Sequence, residues 1–258
     1  MADGARRLRD SLWTVASLFL VIALWEGGVR LFRVPLYLLP GPGYVLQAVI
    51  EHWQALLGQA VTTMGEVLAG FVLAALVAIP LAMLVVVSPV LERLVYPPMV
   101  ATQSIPKIAL APLFIVWFGF GTTPKIAVAF LISFFPVVVD TIVGLRSIDP
   151  AMLQLARSMG APAWRIFLRL RLPNALPSVF AGLKVASTLA VVGALTGEFI
   201  GSDRGLGYVL VQSSAQLNTP LLFATLVTLS LLAMAFFFVV EGVERLLIPW
   251  HVSQRARP

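Results

Sequence analysis

Few side chains in this sequence could do chemistry, and several of those stand in apolar surroundings. Lys107 lies within Ser104-Ile105-Pro106-Lys107-Ile108-Ala109-Leu110-Ala111-Pro112. An ionisable group inside an apolar span is costly and is by default a functional-site hypothesis, here a cation suited to an anionic substrate. A lysine near a span end instead snorkels to the headgroups, which is the expectation for Lys184. Glu66 and Glu198 fall near span ends, where solvation or pairing with another subunit explains them as readily as substrate contact. Pro106, Pro112 and Pro136 interrupt apolar runs and mark expected kinks beside a pathway, because membrane helices tolerate broken backbone bonds where the freed groups face protein or water. The only histidines are His52 and His251, and cysteine is absent. Disulfides, thiol chemistry and Cys/His zinc clusters are thereby excluded, so no metal ligand is assigned. No nucleophile stands with a base either, so no catalytic residue is assigned.

The elements that must position these groups are membrane helices. Of 258 residues, 59% are hydrophobic and 12% charged, and no soluble domain of this size can cover so much apolar surface. At about 20 residues per crossing, the expected spans are 11–31, 64–87, 97–119, 124–144, 178–200 and 220–248. A short surface helix is expected around Glu51-His52-Trp53, and a Gly-rich outer loop at 201–219. The net charge of +6 reports topology rather than nucleic-acid binding. With the N-terminus inside, Arg6, Arg7, Arg9, Arg93, Arg146, Arg157, Arg165, Arg169, Arg171, Arg245, Arg255 and Arg257 fall on the cytoplasmic side. Only Arg30, Arg33, Lys125 and Arg204 then fall outside, a strong positive-inside bias. The expected fold is an all-α membrane protein of six transmembrane helices with both termini cytoplasmic. Its parts would be a basic N-terminus (1–10), a first span with an outer connection (11–61), a core (62–248) and a basic tail (249–258).

The longest polar stretch, 145–177, would face the cytoplasm between spans 4 and 5. Asp149, Pro150 and Gly160 punctuate a short helix as cap, first residue and terminator. Met152, Leu155, Ala156 and Met159 line one face of it. A second helix opens at Pro162, carries Trp164, Phe167 and Leu168 on one side with Arg165 and Arg169 on another, and is expected to end at Leu172-Pro173. Such an element could dock into a partner's groove or lie on anionic lipid, and physics alone leaves both open. In span 5, Gly182, Ala186, Ala190 and Ala194 form one track of small residues, with Gly193, Gly197 and Gly201 beside it. Their spacing suits close helix packing.

The run Gln154-Leu155-Ala156-x3-Gly160-x9-Leu170-x-Leu172-Pro173 resembles the coupling loop of ABC importer permeases, matching at Ala156, Gly160, Leu172 and Pro173 and departing at Gln154, Leu155 and Leu170. The stretches Ser104–Gly119, Phe134-Phe135-Pro136, Gly144–Pro150, Glu198-Phe199-Ile200-Gly201 and Arg204-Gly205-Leu206-Gly207 are similar to the nitrate/sulfonate/taurine branch. The resemblance implies a multi-pass protein of the bacterial cytoplasmic membrane that pairs with a second copy of itself. It implies a cytoplasmic ATPase dimer, contacted through Gln154, Ala156, Arg157, Gly160, Trp164, Arg165, Leu172 and Pro173. It also implies a periplasmic or lipid-anchored binding protein. The chain has no phosphate-binding loop, so ATP and Mg would be bound by the ATPase and this subunit would be no enzyme. The branch suggests a small anion (sulfonate, taurine, nitrate or bicarbonate), with a thiamine-precursor-like or other small aromatic compound as the alternative. An ATP-independent carrier or channel is the competing class. Lys107, Pro106, Pro112, Pro136 and Glu198 are the candidate pathway residues.

Overall fold

The computed structural model describes residues 2–249, without the side chains of residues 2–12, 14, 15 and 18. Residues 250–258 of the expected basic tail, including Arg255 and Arg257, lie outside the described residues, as do the side chains of Arg6, Arg7 and Arg9. Among the described residues all regular structure is helical. The order is α1 (Ala2–Leu31), α2 (Pro42–Val87), α3 (Pro89–Thr102), a 3-10 turn (Lys107–Leu110), α4 (Ala111–Phe118), α5 (Thr122–Arg146), α6 (Pro150–Ser158), α7 (Ala163–Ile166), a π-helical turn (Phe167–Arg171), α8 (Leu172–Phe199), α9 (Leu206–Ala215) and α10 (Thr219–Leu247). Four stretches, α2, α5, Ala163–Phe199 and α10, are long and apolar enough to cross a bilayer. The pair α3 and Lys107–Phe118, bent by 90°, makes up to a fifth.

Several expected boundaries move, each for a local reason. The surface helix near Glu51 and the second span are one helix of 46 residues, about 69 Å long at 1.5 Å per residue. No proline falls between its first residue and Pro80, and glycine alone only weakens a helix. The expected third span is broken: Gln103–Pro106 separate α3 from the 3-10 turn, and the axis turns through 90° there. Pro112 starts α4, where its missing N–H costs nothing, and Pro136 sits inside an unbroken α5. Of the three expected kink prolines, Pro106 lies at the 90° break. The outer loop 201–219 contains α9.

The second helix of the polar stretch does not end at Leu172-Pro173. It passes through the π turn into α8, with the Leu172 N–H bonded to the Phe167 carbonyl. A proline inside an α-helix clashes with the carbonyl four residues back. The wider i→i+5 turn just before Pro173 relieves that crowding, so the chain stays helical.

The core lies where α2, α5 and α8 meet. Val67, Ala78, Ala82, Val85, Val128, Ala129, Val137, Val138, Ala186, Ala190 and Ala194 are almost wholly buried there. Small residues permit the approach: a Cβ on Gly193 would lie 2.6 Å from Ala129 Cα, and one on Gly197 2.7 Å from Lys125 Cα. Gly201 lies beyond the end of α8 at φ 147°, against the Phe120 ring, and so takes no part in the helix seam. α1 is peripheral and meets α10 through Trp25 and Phe223.

Candidate functional sites: a helical hook and a buried polar lock

One end of the molecule carries α6 and α7. Asp149 Oδ1 accepts the Ala151 N–H at 2.8 Å, Pro150 occupies the first turn, and Gly160 follows the helix at φ 73°. This is the left-handed conformation that L side chains rarely adopt. The apolar stripe read from sequence has no cover: Met152, Leu155, Met159, Trp164 and Leu168 are all more than half exposed. Gln154, Arg157, Gly160 and Arg165 are exposed beside it, and Ala156, Leu172 and Pro173 are half-buried. The Arg165 guanidinium lies 5.3 Å from the Trp164 ring centre, which stiffens a pair of long side chains at the tip. Between this hook and the end of α2 lies a mostly apolar cleft of about 620 Å³, lined in part by Val86, Trp164, Phe167 and Arg171. An isolated nine-residue helix is marginal in water. Its caps and its covalent continuity with α8 are what hold α6 in place.

The opposite end of the α2–α5–α8 core holds a buried polar network. Glu198, 1% exposed, accepts the Thr63 hydroxyl at 2.7 Å and the Gly207 N–H at 2.5 Å. The Thr63 oxygen in turn accepts the Leu206 N–H at 2.9 Å, and Gln59 Oε1 accepts the Gly205 N–H at 2.6 Å. Three successive N–H groups at the start of α9 are thereby satisfied by side chains from α2 and α8, the accounting a buried helix start requires. Glycine is needed at 205, with φ 101°, because a Cβ there would collide with the Glu198 carboxylate. Beside this network Lys125 Nζ donates to Glu66 Oε1 at 2.9 Å, with side chains only 5% and 3% exposed. The other Glu66 oxygen receives no donor from a neutral or cationic group and interacts with the Glu198 carboxyl.

The sequence-derived candidates are thus dispersed. Glu198 belongs to the buried network and is itself shut off from solvent. Glu66 is paired within the chain rather than solvated or paired across subunits, and Lys125 is not a loop cation. Lys184 does not snorkel: its Nζ donates to Glu244 on α10 at 2.7 Å. In each case a partner on another helix neutralises the charge more cheaply than a long reach to water. Lys107 stands just after the 90° bend, half-exposed, its Nζ 4.4 Å from the Phe135 ring centre. Thr63 and Gln59 were not read as functional, and single polar residues in an apolar helix carry no signal of which helix they face. The rule that singles out Lys107, a charge within an apolar span, applies to Asp140 equally.

A bent span, small-residue helix seams and a capped, uncovered hook at one end together define a multi-helix membrane protein with an unpartnered apolar face. The chain belongs to the family described as binding-protein-dependent transport system inner membrane component, whose profile matches residues 70–251. It is an ABC importer permease. It is 36% identical over 250 residues to the formylaminopyrimidine transport permease protein ThiX of Halalkalibacterium halodurans, covering 96% of this chain and 100% of that one. It is 36% identical to the riboflavin transport system permease protein RibX of Chloroflexus aurantiacus (92% and 89% covered). It is 27% identical to the taurine transport system permease protein TauC of Escherichia coli (93% and 85% covered). A solved inward-facing structure of the MetNI methionine ABC transporter shares the fold, with a TM-score of 0.66 at 21% identity over 76% of this chain and 97% of that one.

Proposed function

We propose that this subunit forms the pathway of an ATP-driven importer as a homodimer in the bacterial cytoplasmic membrane, with α6 seated in a cleft of a cytoplasmic ATPase subunit. The observation that carries this is the uncovered stripe Met152, Leu155, Met159 and Trp164 on a helix capped at both ends. An apolar face flanked by Arg157 and Arg165 suits a groove with an acidic rim. In this reading α1 is the sixth span and both termini are cytoplasmic. The core 62–248 carries transport, ATP and Mg belong to the ATPase, and a binding protein delivers substrate from outside. Nothing in the fold or the relatives favours an ATP-independent carrier.

The substrate is a small nitrogen-containing aromatic compound. The two relatives named for a pyrimidine and a flavin are each 36% identical, against 27% for the one named for taurine. An anion would look to Lys107, yet that charge already lies over the Phe135 ring. The test of coupling is Gly160→Val. A β-branched residue at φ 73° costs about 1–3 kcal/mol of local strain, enough to unseat the end of α6. Uptake should fall at least tenfold while the variant reaches the membrane in normal amount. Full uptake with the ATPase still bound would refute the role of the loop.

A further inference from the structure

The α5–α8 seam carries a carboxylate with no partner among the described residues. Asp140 lies six residues before the end of α5, about 9 Å along the axis from Arg146, and is half-buried. It makes no hydrogen bond or ion pair among the described residues. Nearby cations are otherwise engaged: Arg146 with Glu92, Lys184 with Glu244, and Lys107 with the Phe135 ring. Every other described acid buried in the core has at least one partner, Glu66 in Lys125, Glu198 in Thr63 and Gly207, and Glu244 in Lys184.

The backbone of α8 comes close to Asp140. Its carboxylate lies over Gly182 of α8, where a Cβ would come within 2.8 Å of Asp140 Cβ and 3.1 Å of Oδ2. Only glycine leaves the carboxylate that position. One turn nearer the α6 end, Ser178 packs on Gly144. Beyond it Asn174 Nδ2 donates to Ser147 Oγ at 3.0 Å. The line Ser147, Asn174, Ser178, Asp140 follows the seam from the end of α5 inward. Along the same side of α8, Ala181, Val185, Thr188 and Val192 are exposed. A carboxylate turned to lipid is strongly disfavoured, and intramembrane acids face the bundle interior or a water-filled cavity. The exposed side of this seam therefore faces the pathway or the second copy.

We propose that Asp140 is the hydrogen-bond acceptor of a substrate site within the membrane, taking a ligand with amino or ring N–H donors and discriminating against anions. This rests on the small-aromatic reading above. A carboxylate accepts two such donors side by side, whereas it repels a sulfonate or carboxylate at the same place. Its lack of a protein partner keeps it available, and Ser178 and Asn174 offer further polar contacts on the route toward α6.

The experiment is uptake of radiolabelled formylaminopyrimidine, and separately of taurine, by the complete importer in proteoliposomes. The unaltered chain is compared with Asp140→Asn, which keeps the shape, and Asp140→Ser, which removes the carboxylate altogether. Neutralising an unpaired acid eases membrane insertion, so both variants should reach the membrane. The expected result is formylaminopyrimidine uptake by the unaltered importer, with a KM raised at least tenfold in both variants. Taurine uptake should stay low throughout or rise in the neutral variants. An unchanged KM for formylaminopyrimidine in Asp140→Asn and Asp140→Ser overturns the role of Asp140 and leaves the aromatic reading standing. A fall in maximal rate alone, with KM constant, marks a structural part and overturns it equally. Robust uptake of taurine but none of formylaminopyrimidine by the unaltered importer overturns the aromatic reading itself.

Discussion

Breaking the Lys125–Glu66 pair should destabilise the fold more than any other single polar change among the described residues. The two side chains are 5% and 3% exposed and meet at 2.9 Å. One Glu66 oxygen receives no donor from a neutral or cationic group and interacts with the Glu198 carboxyl. Lys125→Met would strip the remaining oxygen of its donor and leave a carboxylate buried beside Glu198. Loss of one member of a buried pair costs about 3–5 kcal/mol in soluble proteins, because the survivor is left uncompensated. Ordinary polar contacts between membrane helices average only about 0.6 kcal/mol and reach about 1.7. The pair should exceed that range because both side chains are almost wholly withdrawn from solvent, so a cost of about 3 kcal/mol is expected. Neutralising both residues (Lys125→Met with Glu66→Gln) removes the orphaned charge, and most of the loss should return. The coupling energy should therefore be at least about 2 kcal/mol, larger than two independent sites show. Equilibrium unfolding in mixed micelles, followed by helical circular dichroism, measures all four corners of the cycle. Single variants each costing under about 1 kcal/mol, with the double equal to their sum, would refute the reasoning and return the pair to ordinary surface behaviour.

Thr63→Val leaves the Leu206 N–H unpaired and removes a donor from Glu198; it should cost about 1–3 kcal/mol for the orphaned group. Amide exchange should rise at residues 205–207 first, and protection equal to the unaltered chain would count against the lock. Gly197→Ala places a Cβ 2.7 Å from Lys125 Cα, where backbone must move, so about 1–3 kcal/mol of stability should be lost. Gly58→Ala meets nothing within 4 Å and should instead gain up to about 1 kcal/mol of helix propensity. The same unfolding assay ranks the two, and an equal effect from both would dismiss close packing as the reason for glycine at 197.

Membrane residence, the approximate spans of α5 and α10, and the capped helix at 150–158 were legible in the amino-acid order. These features are local or additive. Apolar content accumulates along a segment, and Asp149, Pro150 and Gly160 act within a turn or two of where they stand. The merging of 42–87 into one helix and the passage of Pro173 through a π turn were not legible, because a breaker's effect depends on the geometry its neighbours permit. The right-angle bend at Gln103–Pro106 shows the same limit: of three prolines alike in sequence, one lies at a break between helices, one starts a helix and one sits inside α5.

Charge partners lay furthest from view. Glu66 and Lys125 are 59 residues apart, Lys184 and Glu244 60, and Thr63 and Glu198 135. Whether two such groups meet depends on the depth and rotation of separate helices, which no single helix encodes. By itself, the sequence determined that this protein lives in a bilayer and carries a short capped amphipathic helix at 150–158 between its apolar spans. Only the tertiary structure decided which buried charges answer one another and left the half-buried Asp140 without a partner among the described residues. Helix hydrophobicity is read along the chain, but neutralisation of charge is settled across it.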